Sequence, residues 1–322
     1  MSQIGEKRPA LSTETGPLTL ESVVAGLGAY PLPQTAIIPR LMRMTSDLNT
    51  DINSLVRVLA SDPALVAKIL QLSNSAFYGR QGVISSLNEA VMVLGFYTIR
   101  TLAVSASAYR LFRRDEDHEF EQELWRHSLA VGIGARLVAR RVGSRQVEEE
   151  IFLCGVLHDI AKLVLLQEYP DIYKPVLKEA VESGLGHLIV ESSHMGFTHA
   201  DLGAIILDQW GFPPRVAGIV HRYNIPDLPF FIRERHGIGR ADMAMPHMVC
   251  LAHEMANNLG YGFLEHTNDD LTLLPSSAYF HLDAAAIEEL SQEMAMVYFD
   301  ELGHYSKSVT SGGSETLRAT TR

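Results

Sequence analysis

Helical periodicity runs through most of this chain. Ile52, Leu55, Val56 and Leu59 fall at i, i+3, i+4 and i+7, a spacing that places them on one face of a helix, with Asn49 and Thr50 as candidate caps. Asp62-Pro63 is typical of an N-cap followed by Pro at the first helical position. Ser86-Leu-Asn-Glu89 is a capping-box pattern that predicts a short helix ending at Gly95. The pattern therefore predicts several short helices in succession.

The pattern continues beyond the charged segment 113–121. A helix that ends at Gly143 turns His127 toward the interior, and a long helix over about 148–166 places Cys154, His158 and Lys162 close to one face. Three more helices are predicted at Thr198–Trp210, Met248–Leu259 and Asp283–Leu302. No alternating strand pattern exceeds a few residues, so the predicted fold class is all-α.

Composition shifts divide the chain. We expect a disordered leader over 1–19, one helical domain over 20–260, a C-terminal extension over 261–302 with a helix at 283–302, and a disordered tail over 303–322. Within the domain, residues 20–112 and 120–260 are expected to form two packed helical subdomains. The segment Arg222 to Pro246, which carries Pro, Gly and several Arg residues, is predicted to be irregular.

Charge and cysteine content narrow the classes of function. The formal net charge is −11 over 322 residues, which opposes direct binding to nucleic acid. No apolar run approaches the roughly 20 residues that a membrane-spanning helix needs, and the first residues lack a secretory signal. Only two cysteines, Cys154 and Cys250, are present, too few for a disulfide framework. We therefore expect a cytoplasmic protein with no membrane partner.

The candidate chemistry lies in the apolar run Gly155–Leu163, which contains the adjacent pair His158 and Asp159. Burying a charge is costly unless it is paired or coordinated. Imidazole and carboxylate groups are good ligands for divalent metals, so His127 on one helix and the His-Asp pair on the next are candidates to converge on one ion. Such an ion would activate water towards phosphate esters.

At these residues the sequence resembles the HD phosphohydrolase superfamily, in which a His-Asp pair ligates a catalytic metal. The upstream motifs resemble a signalling offshoot of that superfamily, the HDOD family. The matching segments are Leu32-Pro33, Asp62-Pro63-Ala64-Leu65, Ser73 to Gly79, Ile84 to Leu87, Leu94-Gly95, His199 to Ala204 and Trp210 to Pro213. The resemblance covers about Leu20 to Leu259 and implies an all-helical bacterial signalling domain, typically without a complete set of catalytic ligands. The segment Ser73 to Gly79 is interpreted as a structured turn.

The sequence departs from the superfamily pattern at two places. The triplet Leu251-Ala252-His253 stands where the enzymes close the metal site with Asp, so a carboxylate is replaced by imidazole. Arg222-Tyr223-Asn224, with His221 displaced, stands where relatives often carry a His pair, and the Gly-Tyr-Pro signature of cyclic-di-GMP phosphodiesterases is missing. Both departures reduce the support for a phosphodiesterase site.

Two interpretations of the His-Asp pair follow. In the first, His127, His158 and Asp159 are a structural relic that holds two helices in register; in the second, they ligate a divalent metal together with His253. Lys162, His199 and His221 are candidate neighbours of the site, although the position of His199 near a helix start favours a capping or surface role.

The corresponding functions are also two. The first is a regulatory module that binds a signalling protein partner or a small ligand such as a nucleotide second messenger. The second is a metal-dependent phosphohydrolase acting on nucleotides. A weaker alternative assigns partner docking to the segment Arg222 to Pro246 and the C-terminal helix.

Overall fold

The structure is a computed structural model that describes residues 18–29, 37–46, 51–75, 78, 84–112, 119–224, 243–262, 268 and 270–306. These residues form helices and connecting turns, and no strand occurs among them, which confirms the predicted all-α fold. Across the same ranges no helix combines the length and the apolarity needed to cross a membrane.

The helices between residues 20 and 94 are short, and the helix that follows them is longer. They are Leu20–Ala29 (α1), Ile37–Ser46 (α2), Ile52–Ala60 (α3), Pro63–Ser73 (α4), Leu87–Leu94 (α5) and Phe96–Phe112 (α6). The helix α4 begins as predicted, because the Asp62 carboxylate accepts the Leu65 N–H at 3.0 Å. The cap of α3 is Asp51, whose carboxylate accepts the Ser54 N–H at 2.7 Å. The cap prediction was wrong by one residue, because the cap is Asp51 and not Thr50. The expected caps Asn49 and Thr50 themselves lie outside the described residues.

Side-chain hydrogen bonds stabilise the start of α5 and the connection between α4 and α5. Ser86 caps α5 as predicted by accepting the Glu89 N–H at 3.2 Å, but the capping box is incomplete, because the Glu89 carboxylate accepts the Ser85 N–H at 2.9 Å. After α4 the Asn74 side chain accepts the Ile84 N–H at 2.8 Å and donates to the Ile84 carbonyl at 2.9 Å. These paired bonds hold Asn74 beside Ile84, while Ala76, Phe77 and Gly79 of the predicted turn lie outside the described residues.

Ten helices follow in the second part of the described chain. They are Glu119–Arg141 (α7), Glu148–Leu157 (α8), Ile160–Glu168 (α9), Pro170–Ser183 (α10), His187–Met195 (α11), His199–Gln209 (α12), Pro214–Arg222 (α13), Ala244–Ala256 (α14), Pro275–Tyr279 (α15) and Ala284–Ser306 (α16). Helix α7 packs against α8, α14 and α16. The crossing with α8 is close because glycine faces glycine: a Cβ on Gly155 would lie 2.6 Å from the Gly132 Cα.

The long helix predicted over 148–166 is interrupted at the His-Asp pair. Helix α8 ends at Leu157, α9 begins at Ile160, and Asp159 has φ −107° and ψ 17°. The His158 ring bonds through Nδ1 to the Gly155 carbonyl at 2.6 Å, which is the carbonyl that Asp159 N–H would reach in a continuous helix. Because the side chain competes for this backbone acceptor, the helix breaks at the two residues that carry the chemistry.

The C-terminal elements differ from their predicted bounds by a few residues. Helix α14 starts at Ala244, inside the segment predicted to be irregular, and passes at Ala256 into a π-helical turn, Asn257–Tyr261, in which Gly260 has φ 78°. Asp283 caps α16 as predicted by accepting the Ala286 N–H at 2.8 Å. The rest of the irregular segment, most of the leader and most of the tail lie outside the described residues.

Candidate functional site

Three histidines from three helices meet at the centre of the described structure. His127 lies on α7, His158 follows α8 and His253 lies on α14; each is at most 2% exposed. His127 Nε2 lies 3.2 Å from His158 Nε2 and 3.1 Å from His253 Nδ1. Asp159 Oδ2 completes the group, 3.3 Å from His158 Nε2 and 3.9 Å from His127 Nε2. The structure thus brings together all four residues that the sequence singled out as candidate metal ligands; below they are called the His-Asp cluster.

Backbone carbonyls fix the tautomers of two of these rings. His127 Nδ1 faces the Tyr261 carbonyl at 2.9 Å, and His158 Nδ1 faces the Gly155 carbonyl. A carbonyl oxygen only accepts, so each Nδ1 carries the hydrogen and each neutral ring turns an Nε2 lone pair inward. The two lone pairs therefore face each other and Asp159 Oδ2, an arrangement that favours a cation between them. Burial lowers the pKa of His158 although Asp159 opposes the shift, which disfavours a proton as that cation.

The cluster fits a first-row divalent ion. Donor atoms bound to such an ion at about 2.0–2.2 Å stand roughly 3.3 Å apart in a tetrahedral arrangement. The two His–His separations are 3.1 and 3.2 Å, and Asp159 Oδ2 lies 3.3 Å from His158 Nε2 but 3.9 Å from His127 Nε2. His127, His158 and His253 would hold the ion, with the Asp159 carboxylate beside them. The ion would polarise its ligands and tie three helices together.

The Asp159 carboxylate has partners on both oxygens. Lys162 Nζ lies 2.9 Å from Oδ2, and the Tyr223 hydroxyl donates to Oδ1 at 2.9 Å. Burial tends to raise the pKa of Asp159, but the basic groups beside it, His158, Lys162 and His199, outweigh burial and hold that pKa well below its ordinary value. Asp159 is therefore an ionised, fully buried carboxylate, and Lys162 is its nearest cation.

A second buried carboxylate continues the network. Glu191 on α11 faces His199 Nδ1 at 2.7 Å and accepts the Tyr173 hydroxyl at 2.5 Å. His199 Nε2 lies 3.1 Å from the Tyr223 oxygen, whose own hydrogen goes to Asp159. His199 thus contacts a carboxylate through one ring nitrogen and a hydroxyl through the other. The favoured capping or surface role of His199 was wrong, because this side chain is 1% exposed and bridges the two carboxylates.

His221 contacts the start of α12. Its Nε2 lies 2.9 Å from Asp201 Oδ1, while Asp201 Oδ2 accepts the Thr198 N–H at 2.8 Å. This completes the capping box at the start of α12, where Thr198 is the predicted cap. His221 therefore supports a helix terminus at the edge of the site.

Sequence reasoning missed Tyr223, Glu191 and Tyr173 as parts of the site. Tyr223 stands where the sequence comparison noted the absence of a His pair, and that substitution was the available signal. Its ring lies edge-on to His158 at 4.8 Å and to His253 at 5.4 Å between centroids, and the residue is fully buried. Tyr223 consequently covers the cluster with its aromatic ring and donates a hydrogen bond to the Asp159 carboxylate.

Comparisons with known proteins place the chain among HD-like helical proteins. The model of the HDOD domain family matches residues 31–226, more than half of the chain. An uncharacterized protein of Treponema pallidum is 24% identical over 190 residues, which cover 59% of this chain and 37% of that protein. The chain thus spans little more than a third of the length of this curated relative.

The solved structures with the same fold include one named as a phosphohydrolase and one named as a signal transduction protein. An HDOD domain protein of unknown function from Geobacter sulfurreducens has a TM-score of 0.69 at 20% identity, covering 86% of this chain and 95% of its own. A putative phosphohydrolase from Shewanella amazonensis has a TM-score of 0.65 at 22% identity, with 88% and 97% covered. A putative signal transduction protein from Marinobacter aquaeolei has a TM-score of 0.63 at 24% identity, with 89% and 65% covered. At these identities the likeness shows the fold alone.

Proposed function

The chain belongs to the HDOD domain family, and we propose that it is a regulatory signal-transduction module of the bacterial cytoplasm that acts by binding rather than by turnover. The observation that carries this proposal is the closure of the His-Asp cluster. A catalytic metal keeps a coordination position open for water or substrate, whereas a structural metal is surrounded by protein ligands. Here three histidines converge with Asp159 beside them, and each of these side chains is at most 2% exposed.

Charge balance supports the same proposal. The Asp159 carboxylate is paired with the Lys162 ammonium, and the Glu191 carboxylate is hydrogen-bonded by His199 and Tyr173. Each buried carboxylate of the network therefore already has partners before any ion is added. A divalent ion would therefore add buried positive charge, which is costly, and His253 supplies none of the negative charge that a closing carboxylate would provide.

In this reading the module receives or passes a signal through a protein partner or a small ligand such as a nucleotide second messenger. The His-Asp cluster joins α7, α8 and α14 and bridges through His199 and Glu191 to α11 and α12. It thus serves as a rigid centre from which changes at one helix reach several others.

Hydrolysis is the direct test. The purified full chain would be incubated with bis(p-nitrophenyl) phosphate and with cyclic di-GMP in the presence of Mn²⁺ or Mg²⁺, beside the double variant His158→Ala, Asp159→Ala. We expect equal, background rates from both proteins. Metal-dependent turnover by the natural chain that the double variant lacks would overturn the proposal.

A metal-dependent phosphohydrolase is the second candidate, and the facing Nε2 lone pairs of His127 and His158 favour it. His253→Asp is the informative variant, because it restores a carboxylate at the closing position. Hydrolysis gained only by His253→Asp would mean that the natural histidine prevents catalysis, in agreement with the regulatory proposal. Elemental analysis of the freshly purified chain would show separately whether an ion occupies the cluster.

A further inference from the structure

The exposed face of α10 carries apolar groups together with charges of both signs. Val181 is 42% exposed, and Leu185, just beyond the end of the helix, is 46% exposed. An open groove of about 620 Å³ lies between α10 and the start of α7. The residues that line this groove are Phe120, Lys174, Pro175, Lys178, Val181 and Glu182. Apolar surface gathered in this way is typical of a contact site for another protein.

The charges of α10 change sign along the helix. After Asp171 in the first turn, Lys174 and Lys178 come first, and Glu179 and Glu182 follow them. The helix dipole favours basic residues in the last turn, which has none here. An ion pair at i and i+4 is also weaker with Lys before Glu than in the reverse order. The stability of the single helix therefore does not account for this order of charges.

The printed contacts of these charges within the chain lie at the surface. Lys178 Nζ lies 3.5 Å from Glu182 Oε1, and the two side chains are 75% and 66% exposed. Glu179 Oε2 lies 2.8 Å from His194 Nε2, and these side chains are 53% and 45% exposed. Exposed pairs of this kind contribute little to stability. Both charges of the Lys178–Glu182 pair are therefore accessible to a second molecule.

A second copy of the chain supplies the opposite order of charges. When two identical helices pack antiparallel about a twofold axis, the first half of each helix lies against the second half of the other. With the axis at the level of Ala180, Lys178 of each copy faces Glu182 of the other copy. In the same register Leu185 lies opposite Pro175, which lines the groove. One arrangement thus pairs opposite charges and apolar groups together.

We propose that the exposed face of α10 is an interface for a second copy of this chain, in an antiparallel dimer with twofold symmetry. Lys178 pairs with Glu182 of the other copy at two symmetric positions, and Val181 and Leu185 cover the groove of the other copy. One helix–helix contact buries less than the roughly 800 Å² per partner of a standard interface, so the dimer is weak, with a Kd of about 10–100 µM. This inference goes beyond the proposed function, because it requires neither a metal nor a signal at the His-Asp cluster.

The interface helix also contacts the buried polar network. Tyr173 lies on the buried face of α10, and its hydroxyl donates to Glu191 at 2.5 Å. Glu191 in turn contacts His199, which lies beside Asp159. The proposed dimer therefore forms through a helix that connects directly to the centre of the domain.

Sedimentation equilibrium of the full chain tests the interface, from about 5 µM to about 500 µM. We expect a reversible equilibrium between monomer and dimer. Lys178→Glu brings two glutamates together at both symmetric contacts, and Glu182→Lys brings two lysines together there. Each of these variants should raise the dimer Kd by about tenfold or more.

An equimolar mixture of the two variants decides whether the pair forms between chains. The mixed dimer regains opposite charges at both contacts, so its Kd should return to within about threefold of the natural value. The ion pair between Lys178 and Glu182 within each chain stays broken in both variants, so it cannot cause this recovery. The controls are Arg57→Glu and Glu293→Lys, which change the net charge equally at exposed helical positions outside α10. They should dimerise as the natural chain does.

Three results would overturn the proposal. One is a natural chain that stays monomeric through the highest concentration. Another is a dimer whose Kd neither charge reversal changes, which would assign the contact to a different face. The third is a mixture that associates no better than the separate variants, once circular dichroism has shown that both are folded. None of these results bears on hydrolysis at the His-Asp cluster, so failure of this interface and failure of the regulatory proposal are distinguishable.

Discussion

The glycine contact between α7 and α8 predicts a large effect from a single methyl group. In Gly155→Ala the new Cβ would lie 2.6 Å from the Gly132 Cα, 2.7 Å from the Gly132 nitrogen and 2.8 Å from the Val131 carbonyl carbon. All three are backbone atoms, so no side-chain rotation relieves the overlap. Non-bonded carbons prefer about 3.5–4.0 Å, and the helices would have to separate by about 1 Å.

The net cost follows from two opposing effects. Overpacking of this kind costs about 1–3 kcal/mol, and the upper end applies because the backbone must move. Replacing Gly by Ala within a helix returns about 1 kcal/mol. We therefore expect the free energy of unfolding to fall by about 2 kcal/mol, and the melting temperature to fall by about 4–8 °C for a domain of this size.

Gly203→Ala is the matched control. This glycine is also helical and buried, but its added Cβ would meet the Val220 Cγ1 at 3.4 Å and the Ala161 Cβ at 3.8 Å, which are ordinary contacts. It should gain about 0.5–1 kcal/mol from helix propensity. Urea unfolding followed by circular dichroism would compare the two. Equal stability of Gly155→Ala and the natural chain, or equal losses in both variants, would refute the reasoning.

Three further predictions concern the polar groups. Tyr223→Phe removes the hydrogen bond to Asp159 and should cost about 1–3 kcal/mol of unfolding free energy; an unchanged urea midpoint would contradict this. Lys162→Met leaves the Asp159 carboxylate without its nearest cation and should cost about 3–5 kcal/mol at neutral pH, with Asp159→Asn recovering part of the loss in a double-mutant cycle. Hydrogen bonds from His221 hold the pKa of Asp201 well below its ordinary value of 3.8, with burial opposing them. Because the folded-state pKa is depressed, the resulting stability is complete above that ordinary value and is lost as pH falls below it. Asp201→Asn should flatten this acid dependence, and unfolding free energies measured across the acidic range would show whether it does.

The parts of the fold that sequence predicted depend on local patterns. The caps Asp62 and Thr198 hydrogen-bond to backbone within three residues, so their signal lies in the sequence next to them. The inward direction of His127 followed from its place on an apolar helical face, and the structure confirms it. The meeting of His127 with His158 rested on family resemblance, because helical periodicity does not state which helices are neighbours.

The failures arose where a side-chain hydrogen bond, rather than hydrophobic periodicity, decided the outcome. The helix break at His158 could not be read from periodicity, since apolar residues continue on both sides of it. It depends on a ring nitrogen bonding to the Gly155 carbonyl. His199 was placed at the surface because first-turn positions are commonly exposed, yet Glu191 on the preceding helix supplies the partner that permits its burial. In both cases a side-chain hydrogen bond overrode the local pattern.

The same network accounts for a buried polar centre through pairing alone. Asp159 and Glu191 are buried, and each has a basic side chain within 2.9 Å, Lys162 for Asp159 and His199 for Glu191. Loss of any one member leaves an uncompensated buried charge, which is far more costly than retaining the balanced set. His253 stands outside these pairs and carries no carboxylate. The buried pairs that join the helices therefore do not depend on an anion at that position.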